Sequence, residues 1–354
     1  MALVAAPFFI KAAPYSDTSL SQALFLHLIS FIGIIVFGIK KTSIQVRVMS
    51  FATVIAVYVA YDPYQPFQYY QFGSAVAGIA FLAVITSNIE AKHIRLIHKL
   101  LSVICLLSTA WVFLNYFGFD PYTLIINKKI PTGSFAAWRP PGSLGNPIHS
   151  GALIASTIVF VRPYLWIFPV LALLLLGSTL PMICAFVAVS VYYCYKAKKP
   201  KLLYFPFAIL VILAASLLLG HFGSASVFYG TDRVQAWKHL VSIMGFDLNG
   251  NGFGYVTTVF SESFKGSQPF IQMHNEWLEA YAILGILGVL VCSWVVLPIF
   301  KDKGHPALNA CLISLFVNSL GNFTFHIAPL FMVFGACYAI QLQGEKNGSR
   351  TIRV

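Results

Sequence analysis

Trp277-Leu-Glu-Ala-Tyr-Ala-Ile-Leu-Gly-Ile-Leu-Gly-Val-Leu-Val-Cys-Ser-Trp-Val-Val-Leu-Pro-Ile-Phe300 carries a single charge, Glu279, at its start. A run this apolar exceeds the ~20 residues that a helix needs to cross a bilayer. Similar runs recur at 22–39, 46–60, 72–87, 99–117, 149–161, 164–177, 180–195, 202–220, 307–320 and 325–342, and 1–13 reads as a further partial span. The chain is 58% hydrophobic and 10% charged, with mean hydropathy +0.79; soluble domains carry about 25% charged residues. The expected fold is all-α: a polytopic transmembrane bundle of about 11–12 spans, forming one integral membrane domain over 1–354. Residues 1–10 lack the basic flank and small-residue cleavage site of a signal peptide.

Basic residues give an orientation. Lys40, Lys41, Arg47, Lys92, Arg95, Lys99, Arg162, the cluster at Lys196–Lys201, Lys301, Lys303 and the tail fall in alternate connections. Fewer stand on the opposite side. The richer side is expected to be cytoplasmic. The net charge of +12 is then a topology signal at anionic lipid and calls for no nucleic-acid partner. The six cysteines sit in or beside apolar runs, with no C-x-x-C pair, and read as small buried hydrophobes.

Two polar islands then face outward. The first, a loop over 119–148, carries Arg139-Pro-Pro-Gly-Ser-Leu-Gly-Asn-Pro147. The second, over 221–275, carries Thr231-Asp-Arg-Val-Gln-Ala-Trp237, Asn249-Gly-Asn-Gly-Phe-Gly254 and Met273-His-Asn275. Long connections in polytopic proteins are usually functional. Arg139 and Arg233 offer planar forks that match phosphate oxygens; each also suits a surface role, as a snorkelling side chain or on an amphipathic helix anchored by Trp237. Gly142 and Gly145 permit close backbone approach, and Asn146-Pro147 reads as a helix start. The glycines at 250–254 lack the βαβ setting of a dinucleotide site; a turn that brings backbone close to a ligand or membrane is expected.

His274 is the leading candidate for acid–base chemistry, because imidazole exchanges protons near neutral pH. Its alternative is an interfacial histidine bonded to loop backbone. Asn275 is expected to cap the helix that follows. Glu276 and Glu279 fall in its first turn and are expected to raise the titration point of His274. His149 and His326 are weaker candidates at outward span ends. The outward carboxylates are scattered, so no metal is expected.

Taken together, Arg139-x-x-Gly142-x-x-Gly145-Asn146-Pro147, then Asp232-Arg233-x3-Trp237 with Gly250–Gly254, then His274-Asn275-x-x-Leu278-Glu279 with Gly285 and Gly288, resemble the three motifs of the bacterial O-antigen ligase and O-antigen polymerase superfamily. The resemblance covers about 137–290. Where the family has a Ser-Arg pair entering a helix, this chain has Gly177-Ser178-Thr179-Leu180-Pro181, so one basic group is missing.

The resemblance implies an inverting glycosyltransferase of the bacterial inner membrane, working at the periplasmic face. Its donor is an oligosaccharide on undecaprenyl pyrophosphate, and no cofactor is needed. It implies His274 as base and Arg139 and Arg233 as charge neutralisers, with Gly145, Asn146, Trp237, Asn275 and Glu279 in substrate contact. The acceptor is a lipid-linked repeat unit for a polymerase, which the compact chain favours, or lipid A-core for a ligase. Membrane lipids are partners in either case, and a polymerase implies a chain-length regulator protein. A transporter or flippase of lipid-linked sugars would also want outward arginines, but the chain shows no obvious internal repeat and few mid-span charges.

Overall fold

The computed structural model describes residues 18–38, 44–58, 66–90, 93–121, 140, 142–199, 231–253, 255–264, 273–300, 305–322 and 324–346. Among them every regular element is helical. In chain order the longer helices are α1 (Thr18–Phe37), α2 (Ile44–Tyr58), α3 (Pro66–Asn88), α4 (Ile94–Tyr116), α5 (Pro147–Thr157), α6 (Ile167–Leu176), α7 (Thr179–Lys196), α8 (Thr231–Met244), α9 (Glu276–Val296), α10 (Pro306–Ser319) and α11 (Ala328–Lys346), with short helical turns between some of them. The expected spans at 1–13 and 202–220 lie outside the described residues.

Among the described residues, three helical stretches are long and apolar enough to cross a membrane: Ile94–Tyr116, Thr179–Lys196 and Glu276–Phe300. Their outer faces, and those of their neighbours, are greasy. Phe31, Ile35, Phe37, Phe51, Val54, Ile167 and Leu174 are all exposed. Water does not tolerate so many large apolar groups on one surface; hydrocarbon does.

Two apolar cores share one helix. The larger joins α4, α5, α6, α7, the end of α9, α10 and α11; the smaller joins α1, α2, α3 and α11. Every residue of α11 from Ala328 to Leu342 is buried. A helix with no polar face is a central element rather than a surface one. Polar groups inside the bundle are tied to backbone. Ser314 donates to the Cys184 carbonyl at 3.1 Å, and Tyr338 to the Val295 carbonyl at 2.7 Å. A third core sits apart, where α8 packs Ala236 and Leu240 against Tyr281 and Ala282 of α9.

Two expected spans are realised differently. The stretch 164–177 yields only the ten residues of α6. These rise ~15 Å, half of a ~30 Å hydrocarbon layer. Pro163 starts a short 3₁₀ turn before α6, and Gly177, in the left-handed region at φ 57°, stops it. The run at 277–300, read from sequence as one helix, is broken at Gly285, where φ is 59° and ψ is −149°. Another part of the chain serves the freed backbone groups. Asn251 N–H donates to the Ala282 carbonyl at 3.0 Å and Gly252 N–H to the Ile283 carbonyl at 2.8 Å. The Ile286 N–H donates back to the Asp247 carbonyl at 2.9 Å. The glycine-rich turn is therefore a plug for the break in α9. Glycine is required on both sides: a Cβ on Gly285 would lie 2.5 Å from the Asp247 carbonyl oxygen, and one on Gly250 would collide with the backbone nitrogen of Gly285.

Candidate functional site

The starts of α5, α9 and α11 and the end of α10 meet at one end of the bundle. Their connections bring together residues far apart in sequence.

The segment Met273-His274-Asn275 is fixed residue by residue. The Trp237 indole N–H, from α8, donates to the Met273 carbonyl at 2.6 Å. Glu279 accepts from the Met273 N–H at 2.8 Å. Asn275 is the N-cap of α9: its Oδ1 accepts from the Trp277 and Leu278 N–H groups at 2.9 and 3.1 Å. Its Nδ2 reaches across to the Leu320 carbonyl at 2.8 Å. Between these clamps, His274 adopts φ 52°. Few non-glycine residues occupy the left-handed region, and where one is held there by its surroundings the strain often marks a working site.

The connection from α10 to α11 forms a second wall. Arg233, half-buried on α8, donates from Nη1 to the Gly321 carbonyl at 3.3 Å. Asn322 is buried and lies beside His149, near enough to act on its imidazole. Glu276 closes the far end of this connection. Its Oε1 accepts from the Phe325 N–H at 2.6 Å, and its Oε2 pairs with His326 Nδ1 at 3.0 Å.

The third wall is the turn before α5. Gly142 and Gly145 both sit at φ 69°, and the Gly145 N–H donates to the Gly142 carbonyl at 3.1 Å. A Cβ on Gly142 would lie 2.5 Å from Ser150. Ser150 instead accepts from the Leu144 N–H at 3.0 Å. Asn146 then caps α5 through the Ile148 N–H at 2.9 Å, with Pro147 at the first helical position. That cap delivers His149 to the site.

Burial lowers the titration point of His274 to about 3, with Arg233 and then His149 adding to the effect. The expectation that Glu276 and Glu279 raise it is overturned. Glu279 is turned to the Met273 backbone, and Glu276 to Phe325 and His326. The benefit goes to His326: burial alone would lower it, but Glu276, with a smaller contribution from Glu279, holds it up at about 9. Two histidines at one helix end are thus driven in opposite directions, one neutral and one charged.

Trp237, Asn275 and one carboxylate oxygen of Glu279, residues expected in substrate contact, hold the His274 segment. Gly145 and Asn146 shape the turn that positions His149. Arg139 and Trp138 lie outside the described residues, as does Gly254. Asn322 and the Glu276–His326 pair were not singled out as a unit from sequence. The signal was present in the polar residues Asn318, Asn322, Thr324 and His326, which interrupt an otherwise apolar stretch. Among the described residues, no three His, Cys, Asp or Glu side chains gather as metal ligands.

Beyond His326 an apolar cavity of ≈ 260 Å³ runs between α2, α3, α9 and α11, with Met49, Gly78, Leu284, Val291 and Phe331 in its walls. The break in α9 and Phe253 of the glycine plug also face it.

A comparison with family models finds no match, and neither does a comparison with curated proteins.

Proposed function

We propose that this chain is a polytopic glycosyltransferase of the bacterial inner membrane. It transfers an oligosaccharide from undecaprenyl pyrophosphate to an acceptor sugar at the periplasmic face, with inversion, and polymerisation of lipid-linked repeat units is the favoured reaction. The observation that carries this reading is His274. It is clamped in a left-handed conformation and kept unprotonated, with Arg233 close enough to depress its titration. The three motifs that resemble the O-antigen ligase and polymerase superfamily supply the substrate class.

The chemistry follows from charge. With the site empty, a histidine titrating near 3 is neutral at every working pH but weakly basic. A pyrophosphate beside Arg233 would cancel the arginine's repulsion and favour a positive imidazole. The base then gains strength when the donor is in place. His274 takes the proton of the acceptor hydroxyl, and the hydroxyl oxygen forms a bond to the anomeric carbon. The bond from that carbon to phosphate oxygen breaks, and the pyrophosphate leaves with the electron pair. Arg233, together with Arg139 of the first motif, stabilises the charge on the leaving group. The apolar cavity beside His326 suits hydrocarbon of a lipid-linked substrate.

The test is reconstitution in liposomes with purified undecaprenyl-pyrophosphate repeat units, reading product length on a gel. A ladder of products supports polymerisation. Transfer only when lipid A-core is added makes the protein a ligase. Movement of lipid-linked sugar across the bilayer with no new glycosidic bond overturns the enzyme reading in favour of transport.

A further inference from the structure

Glu276 stands two residues past His274, yet both oxygens of its carboxylate are engaged elsewhere. It serves the far end of the α10–α11 connection, through the Phe325 N–H at 2.6 Å and His326 Nδ1 at 3.0 Å. The near end of the same connection carries three contacts to site residues: Leu320 to Asn275, Gly321 to Arg233, and Asn322 to His149. Glu276 is buried, so its carboxylate is costly to leave unpaired and its two contacts are strongly held. It also begins α9, where the helix dipole favours negative charge.

We propose that Glu276 and His326 form a latch that positions the site: by pinning Phe325 and His326, the pair keeps Gly321 and Asn322 against Arg233 and His149, and so keeps both beside His274. Neither latch residue touches the reacting atoms in this arrangement; both are positioning residues. The groups facing His326 support the assignment. Glu276 and Glu279 are the carboxylates that act on its charge, and the cavity wall around it is apolar apart from Thr53 and Cys292. A charged histidine beside such a wall persists only while a carboxylate holds it. The latch explains why an ion pair stands at the mouth of an apolar cavity, and it rests on the glycosyl-transfer reading only for its consequence on activity.

The test reads His274 directly. Diethylpyrocarbonate modifies neutral imidazole, and the rate at His274 is followed by mass spectrometry of the peptide that contains it, in purified full-length protein without substrate. Glu276→Ala and His326→Leu release the loop, so His274 should be modified several-fold faster in both. Glu276→Gln keeps an acceptor for the Phe325 N–H and a donor for a neutral His326, so it should stay near the wild-type rate. Transfer should fall in the first two variants and be largely retained in the third. His326→Leu decides the matter alone if Glu276→Ala does not fold. Unchanged His274 reactivity in the releasing variants overturns the latch, whatever happens to transfer. Faster modification in a protein that transfers no lipid-linked sugar even as wild type supports the latch and overturns the enzyme reading instead.

Discussion

Trp237 and Met273 are joined by a hydrogen bond of 2.6 Å from the indole N–H to the carbonyl, one residue before His274. The side chain thereby fastens α8 to the segment that carries His274. Trp237→Phe keeps the ring and removes the donor. It should cost about 1 kcal/mol and lower transfer several-fold, while the protein still purifies as a folded species. Unaltered kcat with the phenylalanine would show that this bond does not hold His274.

The glycine plug makes a stability prediction. Gly250→Ala and Gly285→Ala each place a methyl group into facing backbone, at positions with φ of 68° and 59°. Each should destabilise by ~1–3 kcal/mol, read as a lower melting temperature in detergent. Gly118→Ala makes a useful control: its φ is also positive, but nothing lies within 4 Å of the added methyl, so only the conformational cost remains.

His274→Ala should reduce transfer by ~10²- to 10⁴-fold, the usual worth of a general base. His274→Gln should fail nearly as badly, because an amide cannot take up the proton. Donor binding should survive both changes. Retention of more than half of normal transfer by the alanine variant would reject the base assignment and turn attention to His149.

The two histidines separate on a pH axis. In the free protein His274 titrates at about 3, so no loss of free-enzyme activity from its protonation is expected between pH 7 and pH 5. His326 is raised to about 9, from an ordinary value of ~6.5. Its pairing with Glu276 contributes stability that is complete below the ordinary value and lost as pH rises through about 9. The melting temperature of wild type should therefore decline across that alkaline range, and His326→Leu should flatten the decline.

Arg233→Lys keeps a positive charge but loses the planar fork and its geometry at the Gly321 carbonyl. Transfer should fall strongly with normal folding, and Arg139→Lys should behave alike. Near-normal activity in both lysine variants would mean that neither arginine grips pyrophosphate in a bidentate way.

Much of this arrangement could be read from the chain, for reasons that differ by element. Helix starts were legible because capping is local: Asn146 and Asn275 each bond the N–H groups two or three residues on, and short-range geometry of that kind is written in the sequence. The break at Gly285 was not legible. Its stability comes from hydrogen bonds to Asp247, Asn251 and Gly252, more than thirty residues away, and no periodicity signals that partnership. The destination of charge was misread for the same reason. Proximity in sequence placed Glu276 and Glu279 beside His274, but the helical turn and the α10–α11 connection direct them elsewhere. The convergence of Arg233 and His149 on His274 is tertiary throughout; the resemblance of three separated motifs hinted at it, and the polar residues between 318 and 326 hinted at the facing wall.

The burial of α11 on all sides has a bearing on how the protein is made. This helix joins both large cores, and it follows every other described helix in the chain. The earlier segments leave the ribosome with their central partner still missing, and the surfaces meant for Phe331, Phe334 and Tyr338 have to wait unfilled. Final closure of the bundle, and with it the seating of His326 against Glu276, is therefore a late step of biosynthesis. A half-made chain would hold most of its apolar helices but no assembled site.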